Sequence, residues 1–115
     1  MTKLVGEHVL MRIFFGESDR YAHQPLYEAL VELLRREGFA GATVLRGICG
    51  FGAHRVFHSQ KLLDLSADLP IIIEAIDTQE RIDAIMPRID EMMAGGLITL
   101  EKATVIKYSH KHEKE

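Results

Sequence analysis

The sequence predicts an α+β domain with a ferredoxin-like arrangement, in which the order βαββαβ builds a four-stranded sheet with two helices on one face. Three observations lead to this prediction. The chain has 115 residues, enough for one domain. Apolar residues alternate with period two in several short segments, and two segments with helical spacing lie between them. Two right-handed β-α-β units joined in series place both helices on the same face of one sheet. We expect a single domain over residues 1–109 and a polar, flexible tail over 110–115.

The first strand and the first helix have the clearest patterns. In the strand, apolar side chains alternate at Val9, Met11, Ile13 and Phe15. A turn at 16–20 follows, and then Pro25, a residue favoured in the first turn of a helix. The apolar stripe of that helix consists of Leu26, Ala29, Leu30, Leu33 and Leu34. Gly38 is the predicted stop signal.

The second and third strands are predicted at 42–49 and 69–76. Because a helix connects the first strand to the second, we expect these two strands to run parallel. Pro70 falls near the start of the third strand, where a ladder tolerates proline. The residues between these strands, 50–69, have weak periodicity and are predicted to form a long loop.

The second helix is predicted to begin after Thr78, a favourable N-cap residue. Its apolar stripe consists of Ile82, Ile85, Met86, Ile89 and Met93. Pro87 lies inside the stripe and is expected to kink the helix or to end its first half. Gly95 and Gly96 stop the helix, and the last strand, or a pair of short strands, is predicted at 98–108.

The sheet face that the helices do not cover is predicted to be too apolar to remain in water. The third strand has apolar residues on both sides, and Leu10 and Phe14 add to the uncovered face. A patch of this kind on a monomer usually marks an interface, and closed rings of identical copies are a common solution. We therefore predict an oligomer. The alternative is that the loop 50–69 folds back over this face.

Composition limits the function classes. A net charge of −3 does not favour a nucleic-acid partner or a membrane surface. The apolar run 70–73 is far shorter than the ~20 residues of a membrane span. With one cysteine, Cys49, and no signal-peptide pattern, we expect a cytoplasmic protein. No nucleophile–base order or carboxylate pair stands out, so an enzyme is not expected.

The first candidate ligand site is the glycine-rich stretch 46–52. Its glycines are Gly47, Gly50 and Gly52. They let a ligand approach the backbone, whose free N–H groups can bind an anion. Arg46 and Arg55 would add charge-assisted hydrogen bonds to a phosphate, and Phe51 would stack on a base. The alternative is that the glycines only allow the strand to bulge and turn.

A second candidate is the turn 16–20, since ligands often bind where a strand ends beside a helix N-terminus. Ser18 and Asp19 would equally well shape the turn. An ion pair between an arginine and either Glu17 or Asp19 is a further structural explanation.

Histidines provide a third candidate. His54 and His58 are four residues apart and would share one face if that segment is helical, a workable geometry for a metal ion. The alternative is that they are solvated, because no cysteine or carboxylate cluster accompanies them at a defined spacing.

Five segments together resemble an uncharacterised group of small bacterial and archaeal proteins related to PII signalling proteins. These segments are 15–20, 38–47, 50–52, 68–70 and 96–99. The resemblance runs from Gly6 to Tyr108. It implies a ferredoxin-like protomer that forms a homotrimer with the sheets facing inward. It also implies an adenine nucleotide in the clefts between protomers, and a loop, here 50–69, that acts on a transporter, channel or enzyme.

The resemblance to PII proteins themselves is architectural. Their phosphate loop, Thr-Gly-x-x-Gly-Asp-Gly-Lys, is missing, although Gly95 and Gly96 occupy the matching place. The leading hypothesis is a regulatory trimer that senses a small anionic ligand. The alternatives are a divalent-metal trimer similar to the CutA proteins and an oligomeric adaptor without a ligand.

Overall fold

The computed structural model describes residues 5–52, 58–59 and 68–109. In chain order the elements are β1 (Gly6–Gly16), β2 (Arg20–Tyr21), β3 (Gln24–Pro25), α1 (Leu26–Arg36), β4 (Thr43–Arg46), β5 (Cys49–Gly50), β6 (His58–Ser59), β7 (Pro70–Asp77), α2 (Gln79–Met92) and β8 (Leu97–Val105). The strands β1, β4, β7 and β8 form one four-stranded sheet in the order β4-β7-β1-β8. With α1 and α2 they give the order βαββαβ, so the predicted fold class is confirmed.

Neighbouring strands of this sheet are antiparallel. Because β1 and β4 are each antiparallel to β7, which lies between them, they run in the same direction, as predicted, without pairing to each other. The starts of β7 and β8 and the ends of β1 and β4 therefore lie at one end of the sheet.

The core lies between one face of the sheet and both helices. On β1 the alternating residues predicted from the sequence are buried, and two of them, Met11 and Ile13, are fully buried. Met11 lies opposite Ala75 and Ile13 opposite Ile73 on β7. The helices contribute the buried residues Leu26, Leu30, Leu33, Leu34, Ile82, Ile85 and Ile89. Each such side chain contributes about 1.5–3 kcal/mol when it is taken out of water, so these two stripes fix both helices to this face.

The helix signals are confirmed at the end of α1 and at the start of α2. Gly38 follows α1 with φ +82°, and the N–H of Phe39 reaches back to the carbonyl of Leu34, the pattern of a Schellman C-cap. Thr78 accepts a hydrogen bond from the N–H of Arg81 and caps α2. Pro87 does not end α2, which continues to Met92.

Pro87 is tolerated because it is exposed, like Asp83 one turn earlier, whose carbonyl would otherwise accept its N–H. Of the two effects expected of Pro87, an end to the first half of the helix is therefore wrong, since α2 is continuous from Gln79 to Met92. In the described residues no helix is long and apolar enough to cross a membrane.

The second strand is shorter than predicted. It ends at Arg46, and Gly47 donates to the carbonyl of Pro70 (2.7 Å) as the chain leaves the sheet. The next residues form β5, which pairs with β6 in a separate two-stranded sheet, and Cys49 is exposed. The last strand ends at Val105 rather than near Tyr108.

A small hairpin that the sequence did not indicate follows β1. Its strands are β2 and β3, and the two residues between them, Ala22 and His23, both have positive φ, 51° and 70°. Positive φ at both central positions is typical of the type I′ turn, which usually contains glycine or asparagine. The hairpin leads into α1, where the N–H of Leu26 donates to the carbonyl of Asp19.

The uncovered face of the sheet has an apolar row that crosses all four strands. In register across the strands, the row consists of Leu45, Ile72, Phe14 and Leu97. Beside it lies a charged cluster in which Arg12 binds Glu74 (2.9 Å) and Glu101 (2.6 Å). The expectation of apolar residues on this face is confirmed, while the charged cluster interrupts it. The tail 110–115 lies outside the described residues.

Candidate functional site

Three of the separately predicted segments meet at the end of the sheet where β1 ends and β7 begins. On one side of the β7 start, Glu17 donates its N–H to the carbonyl of Leu69 (2.8 Å). On the other side, Gly47 donates to Pro70 (2.7 Å). Gly96, just before β8, lies so close that a Cβ atom there would be 2.5 Å from the carbonyl oxygen of Phe14. The turn 16–20, the stretch 46–52 and the glycine pair 95–96 thus lie at the same end of the sheet, with Arg46 on one edge strand and the glycine pair just before the other.

Arg46 and Glu17 join the first two candidates directly. A guanidinium nitrogen of Arg46 lies 2.9 Å from a carboxylate oxygen of Glu17. The side chains are 53% and 31% exposed, respectively. The sequence left open an ion pair between an arginine and an acidic residue of this turn, and the structure identifies the two partners. Arg46 therefore lies at the predicted site but already has an anionic partner.

The glycines of the stretch 46–52 have two different roles. A Cβ atom at Gly47 would be 3.1 Å, and one at Gly50 3.0 Å, from the ring of Pro70. Both glycines therefore allow the chain to pack closely on the start of β7, which supports the structural explanation for them. Gly52 has open space around it, and Phe51 is 66% exposed. This part of the stretch is accessible to a ligand.

In the glycine pair before β8, too, one glycine is packed against its neighbours and the other is accessible. Gly96 has φ +126° and is confined by Phe14 and the side chain of Met93. Gly95 has open space where a Cβ would be and is exposed. Gly96 thus shapes the wall of the surface, while Gly95 leaves its backbone accessible.

Acidic groups surround the turn after β1. The carboxylate of Asp68 accepts from the N–H of Ser18 (2.8 Å) and occupies the space where a Cβ of Gly16 would be. Burial raises the pKa of Asp19, the nearby charge of Asp68 raises it further, and a backbone hydrogen bond with Gly16 partly offsets both effects. Sequence reasoning missed the role of Asp68, because nothing in the pattern pairs it with this turn.

Other predicted site residues are not tested. Arg55 and His54 lie outside the described residues, and His58 is described only as part of β6, opposite Gly50. Among the described side chains there is no group of three or more histidine, cysteine, aspartate or glutamate residues arranged to hold a metal ion. The metal alternative depends on His54 and on the side chain of His58, which lie outside what the structure describes.

A groove of about 320 Å³ lies at the opposite end of the sheet, between the uncovered face and the residues after β8. The hydroxyl of Tyr108 donates to the carbonyl of Ala40 (3.2 Å) at its rim. The floor includes Leu10, Glu74 and Ile76. The sequence contained no signal for this groove, because it exists only where the C-terminal segment crosses towards the start of β4.

Comparisons of sequence place this chain among similar proteins. The model of the family DUF190, described as an uncharacterised ACR, matches residues 8–105. A UPF0166 protein of Methanocaldococcus jannaschii is 35% identical over 99 residues, which are 85% of this chain and 91% of that protein. A UPF0166 protein of Aquifex aeolicus is 38% identical over 97 residues, with 84% and 91% covered.

Comparisons of structure give PII-like folds. A PII-like protein of Thermus thermophilus has a TM-score of 0.64 and 21% identity, covering 88% of this chain and 91% of that chain. CPII, a nitrogen regulatory PII-like protein of Thiomonas intermedia, has a TM-score of 0.58 and 19% identity, covering 86% and 88%. That CPII structure contains ADP, AMP and bicarbonate. At these identities the likeness shows a common fold.

Proposed function

Because the chain belongs to the DUF190 family and has a PII-like fold, we propose that it is a PII-like regulatory protein and not an enzyme. It senses a small anionic ligand, an adenine nucleotide, at the surface formed by the ends of β1 and β4 and the start of β7. The observation that carries the proposal is that Arg46 and the accessible stretch Phe51–Gly52 lie at the same end of the sheet as Gly95–Gly96. A PII-like protein of the same fold, CPII, is bound to ADP and AMP.

The chemistry of this surface suits a nucleotide phosphate and base. Arg46 presents a half-exposed guanidinium, whose planar N–H fork matches phosphate oxygens. Phe51 is 66% exposed and provides a flat apolar surface on which a base can stack. Gly52 and Gly95 have no side chain and open space around them, so a ligand can approach their backbone closely.

The proposed assembly is a homotrimer with the uncovered sheet faces turned inward. The apolar row on this face includes Leu97, 55% exposed, and Leu45, 44% exposed, in the isolated protomer. Contact with identical copies would take these side chains out of water. Each Å² of apolar surface buried in this way stabilises the assembly by about 25 cal/mol. The ligand would then lie in a cleft between protomers, as the family resemblance implies.

The segment 50–69 is the proposed arm that acts on a transporter, channel or enzyme partner. Its two ends join the sheet at the candidate site, because Gly50 packs on Pro70 and Leu69 accepts from the N–H of Glu17. A ligand that contacts Arg46 or Phe51 would therefore act close to both ends of the segment. This arrangement lets occupancy of the site influence what the segment binds.

Calorimetric titration of the assembled protein with ADP, AMP and ATP tests the ligand proposal. We expect at least one of these nucleotides to bind, and Arg46→Gln to weaken that binding about tenfold or more, because charge-assisted hydrogen bonds contribute ~1.5–3 kcal/mol each. Arg36→Gln removes the same charge from the exposed last turn of α1 and is expected to leave binding unchanged. If none of the three nucleotides binds, the ligand proposal is wrong.

Light scattering tests the assembly. We expect three times the protomer mass of 13.0 kDa for the wild-type chain and a smaller species for Leu97→Glu. Since Leu97 is mostly exposed in the protomer, this substitution is not expected to unfold it. A wild-type protein that remains monomeric at micromolar concentration would contradict the trimer.

A further inference from the structure

The ion pair between Glu17 and Arg46 crosses the start of β7. In the sheet, β7 lies between β1 and β4. Glu17 is tied through its backbone to Leu69, and Gly47, the neighbour of Arg46, is tied to Pro70. The two side chains thus start on opposite sides of the strand, and their charged groups meet at 2.9 Å. The backbone bonds fix the positions of both residues, so the pair can open by rotation of the side chains alone.

The ion pair is of a kind that another anion can replace. Its side chains are 53% and 31% exposed, and an exposed ion pair contributes only ~0.2–1 kcal/mol. The carboxylate of Glu17 takes an N–H of one terminal nitrogen of the guanidinium, and a phosphate held by both terminal nitrogens needs that same donor. Apart from Glu17, no hydrogen-bond or ion-pair partner of Arg46 is found among the described residues. The two anions therefore exclude each other at the N–H groups they share.

We propose that Glu17 is an internal competitor of the ligand: it occupies Arg46 in the empty site, and the anionic group of the ligand must displace it. This inference rests on the proposed function, because it concerns the affinity of that same site. It makes Glu17 a residue that sets the ligand concentration to which the protein responds. A linked consequence is that ligand binding breaks the ion pair between Glu17 and Arg46. That pair crosses the start of β7, where the segment 50–69 returns to the sheet.

Replacement of Glu17 by glutamine tests the competition. Glutamine has nearly the same shape but binds the guanidinium without charge, so Glu17→Gln is expected to tighten ADP binding about two- to fivefold in calorimetric titration. Glu80→Gln is the matched control. Glu80 is exposed in the first turn of α2, after the far end of β7, and the same change of charge there is expected to leave affinity unchanged.

The double variant separates competition from a general effect of charge. In the Arg46→Gln background, Glu17→Gln has no competitor to remove and is expected to change the affinity for ADP by less than about 1.5-fold. An equal gain in both backgrounds would overturn the inference, as would weaker binding by Glu17→Gln. Glu17→Ala, which tightens binding by the same logic, provides a second test if the glutamine variant does not fold.

The outcomes distinguish the inference from the proposed function. If wild type, Glu17→Gln and Glu17→Ala all fail to bind ADP, AMP and ATP, the proposed function is wrong and the inference falls with it. If wild type binds and Arg46→Gln does not, while Glu17→Gln binds as wild type, the function stands and the competition is overturned. Tighter binding by Glu17→Gln that depends on Arg46 supports both.

Discussion

The two ends of the sheet hold carboxylate–arginine pairs in opposite environments. At the far end, Asp77 is 2% exposed and accepts from the N–H groups of Ala40 and Thr78 as well as from Arg81, at 2.8–3.2 Å. At the site end, Glu17 is 31% exposed and its carboxylate is bound by Arg46. The first carboxylate joins the segment before β4 to the start of α2, whereas the second joins the turn after β1 to the end of β4.

This difference shows which pair is structural and which can be exchanged. A buried carboxylate that accepts hydrogen bonds from backbone N–H groups cannot change partners without leaving those buried donors unsatisfied, which costs free energy. An exposed carboxylate returns to water when another anion takes its partner, at a small cost. The same two chemical groups therefore stabilise the fold at one end, and at the other they form the exchangeable pair that we propose the ligand displaces.

The largest expected effect is at Asp77. Asp77→Ala leaves the N–H groups of Ala40 and Thr78 without their acceptor. It is expected to lower the free energy of unfolding by about 3 kcal/mol. Glu17→Ala, the matched change at the other end, is expected to lower it by less than about 1 kcal/mol. Urea denaturation of both variants measures the difference. Equal losses would remove the distinction between the two ends.

A smaller effect is expected at Gly96. It tests whether the backbone at the site end of the sheet, like that around Asp77, resists a change in packing. Gly96→Ala would place a Cβ 2.5 Å from the backbone oxygen of Phe14, at φ +126°, and is expected to destabilise the protein by about 2 kcal/mol. Gly95→Ala adds the same atom into open space and is expected to change stability by less than about 0.5 kcal/mol. Thermal unfolding of both variants checks this. A stable Gly96→Ala variant would mean that the wall of the site readily adjusts.

The smallest effect concerns Asp19 and the pH dependence of the site end. Burial raises the pKa of this carboxyl in the folded protein above its ordinary value of 3.8, so the folded state binds its proton more tightly than the unfolded state. Asp19 therefore lowers stability at neutral pH, and this loss is relieved as the pH falls through the raised pKa towards values below 3.8. We expect Asp19→Asn to gain most in stability relative to wild type near pH 7, with the difference shrinking as the pH falls. Urea midpoints between pH 7 and pH 3 measure the trend; a constant difference would contradict the assigned cause.

Much of the fold was predictable because its signals are local and repetitive. Alternation at Met11 and Ile13 identified the buried face of β1, and the Leu30–Leu34 spacing identified the buried face of α1. Thr78 and Gly38 marked helix ends through their own backbone preferences. In each case the determining interaction joins residues within a few positions of each other, or depends only on which residues avoid water.

The candidate site was predictable only in parts. The sequence identified the stretch 46–52, the turn 16–20 and the pair 95–96, but not that they lie at the same end of the sheet. The end of β4 was placed too late: the strand ends at Arg46, opposite the start of β7, where Pro70 has no N–H with which to continue the ladder. Arg55, His54 and the side chain of His58 remain predictions, because they lie outside what the structure describes.

By itself, the sequence determined the element order, the buried face of each main element and the family resemblance. Only the tertiary structure decided that Glu17 meets Arg46, that Asp68 occupies the space beside Gly16, and that a side chain at Gly96 would clash with the carbonyl of Phe14. The physical reason is that burial follows from the periodicity of a single segment, whereas a contact between two polar groups depends on the register in which distant strands align. In this protein that register brings Glu17, in the turn after β1, within 2.9 Å of Arg46 at the end of β4.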